Sequence, residues 1–306
     1  MNPLRIGTRG SPLALWQANH VADRLRPLAA PRPVELVRIQ TAGDLQRDAA
    51  LAQIGGEGLF TREIQRALLD DRVDVAVHSL KDLPTVVVEG LSLAAVPSRG
   101  PTGDALVSHR HAGFDHLPPG AVVATSSLRR RAQVLHRRPD LRLVDIRGNV
   151  ETRLRKLDEQ GLDALILAQA GLERLGLGAQ ITEILDPSWM LPAVGQGALG
   201  LECRSGDVET LELLRQLDDL ATRQAVLAER AFLRAMGGGC QVPMGARATV
   251  SGGSLALRAV VLRPDGSMRL EAASAGAIDD AERLGEAVAQ KLRDQGASTL
   301  LAVPSS

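Results

Sequence analysis

Polar and apolar positions along this chain follow two periods that alternate. The run LRIG is short and apolar, TRGS interrupts it, and PLALWQANHVADRL then spaces its apolar residues three and four apart, as an amphipathic helix requires. Ser11 stands at the helix N-cap and Pro12 at the first helical position, where a missing N–H costs nothing. VELVRIQTAGD reads as a second strand, followed by a glycine-containing loop, a helix around FTREIQRALLDD and a third strand, VDVAVHS, rich in β-branched residues.

Residues 120–175 repeat this order. GAVVATSSLRRRAQVL is strand, serine-rich turn and helix; LRLVDIRGNVETRLRKL is strand, polar turn and helix; LDALILAQAGLERLG is strand into helix. The pattern predicts an α/β protein with two similar doubly wound domains, resembling type II periplasmic binding proteins, and ligands at the carboxyl ends of the strands. Those ends carry Arg9, Ser11, Lys81, Asp82, Ser126, Ser127, Arg129, Arg130 and Arg147. The Pro/Gly-rich VPSRGPTGD and the returning LPAVGQGALGLECR read as crossings between halves. Beyond Leu220 the chain changes to a helix, a glycine cluster, a hairpin turning at Pro264 to Gly266, and a last helix, a small α+β domain. The expected division is 1–97 with 198–215, then 103–193, then 220–306.

Composition narrows the function. The chain has 306 residues, 44% of them hydrophobic, enough for two or three cores. A formal net charge of zero gives no global field toward nucleic acid or a membrane, and 2% aromatic content gives no stacking platform for single strands. Charge recognition must therefore be local. There are only three lysines, so 33 of the 36 cationic side chains are arginines, whose planar fork pairs with carboxylates. The N-terminus lacks the pattern of a secretory signal and no apolar run would span a bilayer, so the expected location is the cytoplasm. That compartment disfavours a disulfide between Cys203 and Cys240.

In SSLRRRAQ two hydroxyls and three arginines sit at the opening turn of a helix, where free N–H groups already favour an anion. Helical rotation leaves at most two of the arginines aimed one way, with Arg131 outside. A solvated face behind a serine cap is the plainer reading. Arg9 and Ser11 at the equivalent turn, and Arg147 with Arg153 after the neighbouring strand, favour instead two facing cationic strand ends that hold a polyanion. Lys81 and Asp82 emerge from a buried strand at the same edge; Asp82 either caps the turn before Pro84 or serves as an ionised carboxylate in an arginine-lined site. Cys240, in MGGGCQVPMG, is either a small buried hydrophobe or a thiol displayed on a loop, whereas Cys203 in LGLEC fits burial. Gly195, Gly197 and Gly200 match a dinucleotide fingerprint literally, but extended sequence follows where a helix is required. His109, His111 and His116 match no familiar metal spacing, and no metal is expected.

The strings GTRGSPLALWQ, GGEGLF, VHSLKDLP, ATSSLRRRAQ, IRGNVETRL, LPAVGQGALGLECR and GGGCQVPMG occur in the order expected of the hydroxymethylbilane synthase (porphobilinogen deaminase) family, which this chain resembles over all three inferred domains. The resemblance implies a transferase of tetrapyrrole biosynthesis. It would condense four porphobilinogen molecules on a dipyrromethane cofactor, release ammonia at each addition, and finally hydrolyse off hydroxymethylbilane. By the same resemblance Cys240 would carry the dipyrromethane through a thioether, as a tether and not a turnover nucleophile. Asp82 would be the catalytic aspartate, also touching the cofactor. Lys81, Thr125, Ser127, Arg129, Arg130, Asn149, Ala168 and Gly171 would contact the cofactor, while Arg9, Ser11, Gln17, Arg147, Arg153 and Arg174 would hold substrate carboxylates. A monomer is expected on the same ground. Two departures stand in the 42–60 stretch: Glu57 where the motif often has lysine, and Ala42 where arginine is common. Asp44 and Phe60 are candidate gating contacts there. The competing class is a two-lobed anion-binding protein without catalysis, and a third is a transferase using Cys240 with a histidine base.

Overall fold

The computed structural model describes residues 2–41, 58, 61–238 and 242–301. It divides into two compact units, 1–100 with 197–223 and 101–196 with 224–306.

The first unit opens with β1 (Leu4–Thr8) and α1 (Pro12–Ala29), joined by the turn that the Ser11–Pro12 signal predicts: Ser11 Oγ accepts from the Ala14 N–H at 3.3 Å. β2 (Val34–Arg38), α2 (Arg62–Leu69), β3 (Val75–Ser79) and β4 (Leu91–Ala95) follow. In the second unit come β5 (Asp104–Val107), β6 (Val122–Ala124), α3 (Leu128–Arg137), β7 (Arg142–Val144), α4 (Val150–Glu159), β8 (Ala164–Ala168), α5 (Gln169–Arg174) and β9 (Glu183–Ile184). The chain then returns to the first unit as β10 (Leu199–Arg204) and α6 (Val208–Arg215).

The two five-stranded sheets share one topology, β2-β1-β3-β10-β4 and β7-β6-β8-β5-β9. In each, three strands run parallel, and the strand entering from a crossing, β10 or β5, lies antiparallel between its two neighbours. A parallel sheet must be covered on both faces. In the first unit one face packs Ile6, Val75, Val77 and Leu201 on Ala18, Val21 and Leu25 of α1; the other packs Val73, Ala76 and Leu91 on Ile64, Ala67 and Leu68 of α2. Each fully buried Val, Leu or Ile side chain among these contributes about 1.5–3 kcal/mol. The glycine run at 195–200 leads into strand β10, as its extended sequence predicts, and Gly200 is where the chain most needs a glycine: a Cβ there would lie 2.8 Å from Leu80 Cδ1.

Residues 224–306 add the rest of α7 (Leu220–Ala235), an antiparallel meander of β11 (Met244–Ser251), β12 (Ser254–Leu262) and β13 (Arg269–Ala277), then α8 (Ala281–Asp294) and α9 (Ala297–Leu301). Phe232, Val288 and Leu292 fill the space between these helices and Leu255, Leu257 and Val261. The β12–β13 turn closes at Gly266 with φ +75°, packed so tightly on α3 that a Cβ would lie 2.6 Å from the His136 nitrogen. Buried Glu229 accepts from the N–H groups of Gly195 and Ala248, at 2.8 and 2.9 Å, and so ties the crossing segment to β11. No helix among the described residues is long and apolar enough to cross a membrane.

Candidate active site

In the first unit, the carboxyl ends of β1 and β3 lie at one edge because the two strands are parallel. Arg9 and Ser11 follow β1, and a single 3-10 turn, Leu80–Asp82, follows β3. Leu80 is 1% exposed, and its N–H donates to Ala198 O at 3.0 Å. The turn is therefore fastened from below. Arg9, Ser11, Gln17, Ser79 and Asp82 line one pocket, together with Thr61 and Ile64 of the α2 end. Gln17 is 3% exposed and exchanges hydrogen bonds with Ser79, Nε2 to Oγ at 2.8 Å and Oγ to Oε1 at 3.2 Å, which locks α1 to the end of β3. Asp82 is half-buried, as is Lys81 beside it. Among the described residues nothing donates a hydrogen bond to the Asp82 carboxylate.

In the second unit the same edge carries the residues after β6, β7 and β8. Thr125 is 2% exposed, its N–H bonds Val144 O at 2.9 Å, and its Oγ1 accepts from Ser127 N at 3.3 Å. Ser126 Oγ donates to Ile146 O at 2.6 Å and accepts from Ile146 N at 3.0 Å, joining the two strand ends. Ser127 caps α3 by accepting from Arg130 N, and Asn149 caps α4 by accepting from Thr152 N at 2.8 Å. Arg147 and Arg153 are half-buried around that second cap, with Arg153 Nε donating to Gly148 O at 2.8 Å. Ala168 ends β8, Gly171 is buried in α5, and Arg174 closes that helix, where burial pulls its pKa below the ordinary arginine value. Cys240, Glu57, Ala42, Asp44 and Phe60 lie outside the described residues.

Arg129 and Arg130 do not stand free at the strand edge. Both turn inward onto Asp104, a residue that the sequence reading did not select. Arg129 Nη1 donates to Asp104 Oδ2 at 2.6 Å and to Leu191 O at 2.6 Å; Arg130 donates to Asp104 Oδ1 from Nε at 2.9 Å and Nη2 at 2.7 Å. Gln196 Nε2 adds a third donor at 3.0 Å. The desolvation of a wholly buried carboxylate works against its ionised form, but the two guanidiniums outweigh it and hold Asp104 far below the usual carboxylate range. Asp104 could have been noticed as the single charge opening the apolar strand DALV. Arg131 stays nearer solvent, bonded to Leu143 O at 3.1 Å.

This buried cluster holds one more guanidinium than carboxylate, and Arg129 Nε is buried without a hydrogen-bond partner among the described residues. With the hydroxyls and arginines around it, the edge offers donors and positive charge, the chemistry that a ligand bearing several carboxylates needs. A dipyrromethane fits that donor set. Among the described residues no group of three His, Cys, Asp or Glu could hold a metal ion; His109 pairs with Asp158 and His111 with Asp163.

Family comparison agrees with this chemistry. Residues 4–212 match the family model described as porphobilinogen deaminase, dipyromethane cofactor binding domain, and residues 223–294 match porphobilinogen deaminase, C-terminal domain. The chain is 51% identical to a porphobilinogen deaminase of Pelobacter propionicus, over 97% of this chain and 96% of that one. It is 52% identical to one of Shouchella clausii, over 98% and 97%. Among solved structures, a periplasmic substrate-binding protein of an ABC transporter from Coxiella burnetii aligns with 74% of this chain and 96% of its own, at TM-score 0.45 and 14% identity. By sequence, over nearly its whole length, the chain belongs to the porphobilinogen deaminase family.

Proposed function

We propose that this chain is a transferase of tetrapyrrole biosynthesis that condenses four porphobilinogen molecules head to tail on a dipyrromethane and releases hydroxymethylbilane by hydrolysis. The observation that carries the reading is Asp82, an open carboxylate sharing one pocket with Arg9, Ser11 and Gln17 at the end of β3. Each addition breaks the bond between the substrate's aminomethyl carbon and its nitrogen, which leaves as ammonia, and forms a carbon–carbon bond in its place. The dipyrromethane supplies the terminal pyrrole carbon at which the first such bond forms.

The Asp82 carboxylate stabilises the positive charge that develops as the amine departs and takes up the proton lost from the pyrrole. Arg9, Ser11 and Gln17 orient the substrate's acetate and propionate, and Arg147, Arg153 and Arg174 hold those of the growing chain. Lys81, Thr125, Ser127, Asn149, Ala168 and Gly171 hold the dipyrromethane, with Cys240 as its covalent tether. Arg129 and Arg130, bound to Asp104, serve this group chiefly through the positive potential they leave at the α3 opening. We read 1–97 with 198–215, 103–193 and 220–306 as the three working domains, and the enzyme as a cytoplasmic monomer.

The test is ammonia release from porphobilinogen by the purified full chain. Stoichiometric release with formation of the linear tetrapyrrole is expected. Binding of porphobilinogen without release would instead favour the non-catalytic anion-binding reading.

A further inference from the structure

The face of the first sheet that α2 covers packs Val73, Ala76 and Leu91 on the helix and carries polar groups at both ends, Arg204 with Asp74 at one and His78 with Glu202 at the other. There β3 presents Ala76 and His78, and β10 presents Gly200 and Glu202, in the register Gly200 with His78 and Glu202 with Ala76. Glu202 is 2% exposed, His78 4% and Gln65, from α2, 5%. Gln65 Nε2 donates to Glu202 Oε2 at 3.0 Å and to Oε1 at 3.3 Å. On its other side Glu202 Oε2 lies 3.0 Å from His78 Nε2, an approach too oblique to form a hydrogen bond. One buried carboxylate thus bonds the helix to β10 and packs its other side against His78 of β3, the strand that leads into the Asp82 turn.

Packing does not explain this arrangement. A buried carboxylate is costly unless bonded, and an apolar side chain of similar length in its place is often as stable or more so. A directional bond does something that apolar contact does not: it fixes how far the helix sits along the sheet. That position matters here. Gln65 directly follows Ile64, and Thr61 and Ile64 form the helix side of the Asp82 pocket. On the strand side His78 directly precedes Ser79, the partner of Gln17. The three buried side chains therefore lie directly behind residues of both walls of the pocket.

We propose that Glu202, acting through Gln65 and His78, is a positioning residue that sets the width of the Asp82 pocket and with it the seating of the substrate. The proposal rests on the activity inferred above. Asp82 itself is held by the Leu80 turn and does not depend on this tie, so loosening the helix wall weakens substrate binding more than it slows the chemistry.

The test is steady-state kinetics with porphobilinogen, alongside thermal melting, on the full-length holoenzyme and its Glu202→Met and Glu202→Gln variants. Glu202→Met should melt at or above the parent temperature, raise KM about tenfold and leave kcat within about twofold. Glu202→Gln, which still accepts from Gln65, should restore KM to within about twofold of the parent. Simple loss of folded enzyme would give the opposite split, a lower kcat at unchanged KM. That result, or an unchanged KM in a folded Glu202→Met enzyme, overturns the proposal. Should Glu202→Met fail to fold, Gln65→Met removes the same tie from the helix side and must show the same rise in KM. A parent enzyme that releases no ammonia overturns the activity itself, a result distinct from a parent that works and a variant that matches it.

Discussion

Arg129 Nη1 donates to Asp104 Oδ2 at 2.6 Å, and the accepting carboxylate is wholly shut off from solvent. Asp104 is saturated by donors, whereas Asp82, at the matching edge of the other sheet, receives none from the described residues. Two aspartates of one chain thus stand in opposite settings, one bonded on all sides within a lobe and one without a donor among the described residues. Removing the first should damage folding. Asp104→Asn leaves Arg129 and Arg130 without their counter-charge in a dry interior, and we expect a loss of about 3–5 kcal/mol in denaturant unfolding. A variant as stable as the parent would show that the pair does not hold the lobe.

Asp82→Asn should behave in the reverse way. It breaks no bond to a described residue, so unfolding stability should change by no more than about 0.5 kcal/mol. Turnover of porphobilinogen should fall by about a hundredfold or more, as expected on losing a carboxylate that stabilises charge and moves a proton. Near-parent turnover would remove Asp82 from its role.

The contrast also marks what was legible in the sequence. Local signals were sufficient where the physics is local: Ser11 and Pro12 start α1, a serine of the SSLRRR turn caps its helix, and the returning glycine run enters a strand. The repeated order of elements foretold two sheets of one topology, because β and α periods survive in any window of a dozen residues. Contacts made across the fold left no such trace. Asp104 meets arginines 25 and 26 residues away, and Glu202 meets Gln65 across 137 residues. A lone carboxylate in an apolar strand is visible in the sequence, but its partner is not. The inward turn of Arg129 and Arg130 was hidden for that reason.

Acid should reach a different cluster first. Asp74 accepts from Arg5 at 2.8 and 3.1 Å and from Arg204 at 3.0 Å, and these bonds outweigh its burial to bring its pKa from 3.8 down to about 2. Because the folded-state value lies below the unfolded one, this stabilisation is complete above about pH 4 and is lost as pH falls toward 2. We expect Asp74→Asn to cost about 2 kcal/mol at neutral pH and to flatten the acid limb of the stability curve between those values. An unchanged acid limb would contradict the assignment.

The two cysteines should separate under alkylation. Cys203 is fully buried in β10, and burial raises its thiol pKa to about 11, so at pH 8 it is neither accessible nor ionised. Iodoacetamide should leave Cys203 unmodified in the native chain and label it only after unfolding, as read by peptide mass spectrometry. Labelling of Cys203 in the native protein would show that the β10 core opens. Cys203→Ala should remain active.

The most direct test of the whole account is the intact mass of the purified chain. We expect a mass above that of the polypeptide by one dipyrromethane, located by peptide mapping to Cys240 and absent from Cys240→Ser. A fully active chain with the unmodified polypeptide mass would contradict it.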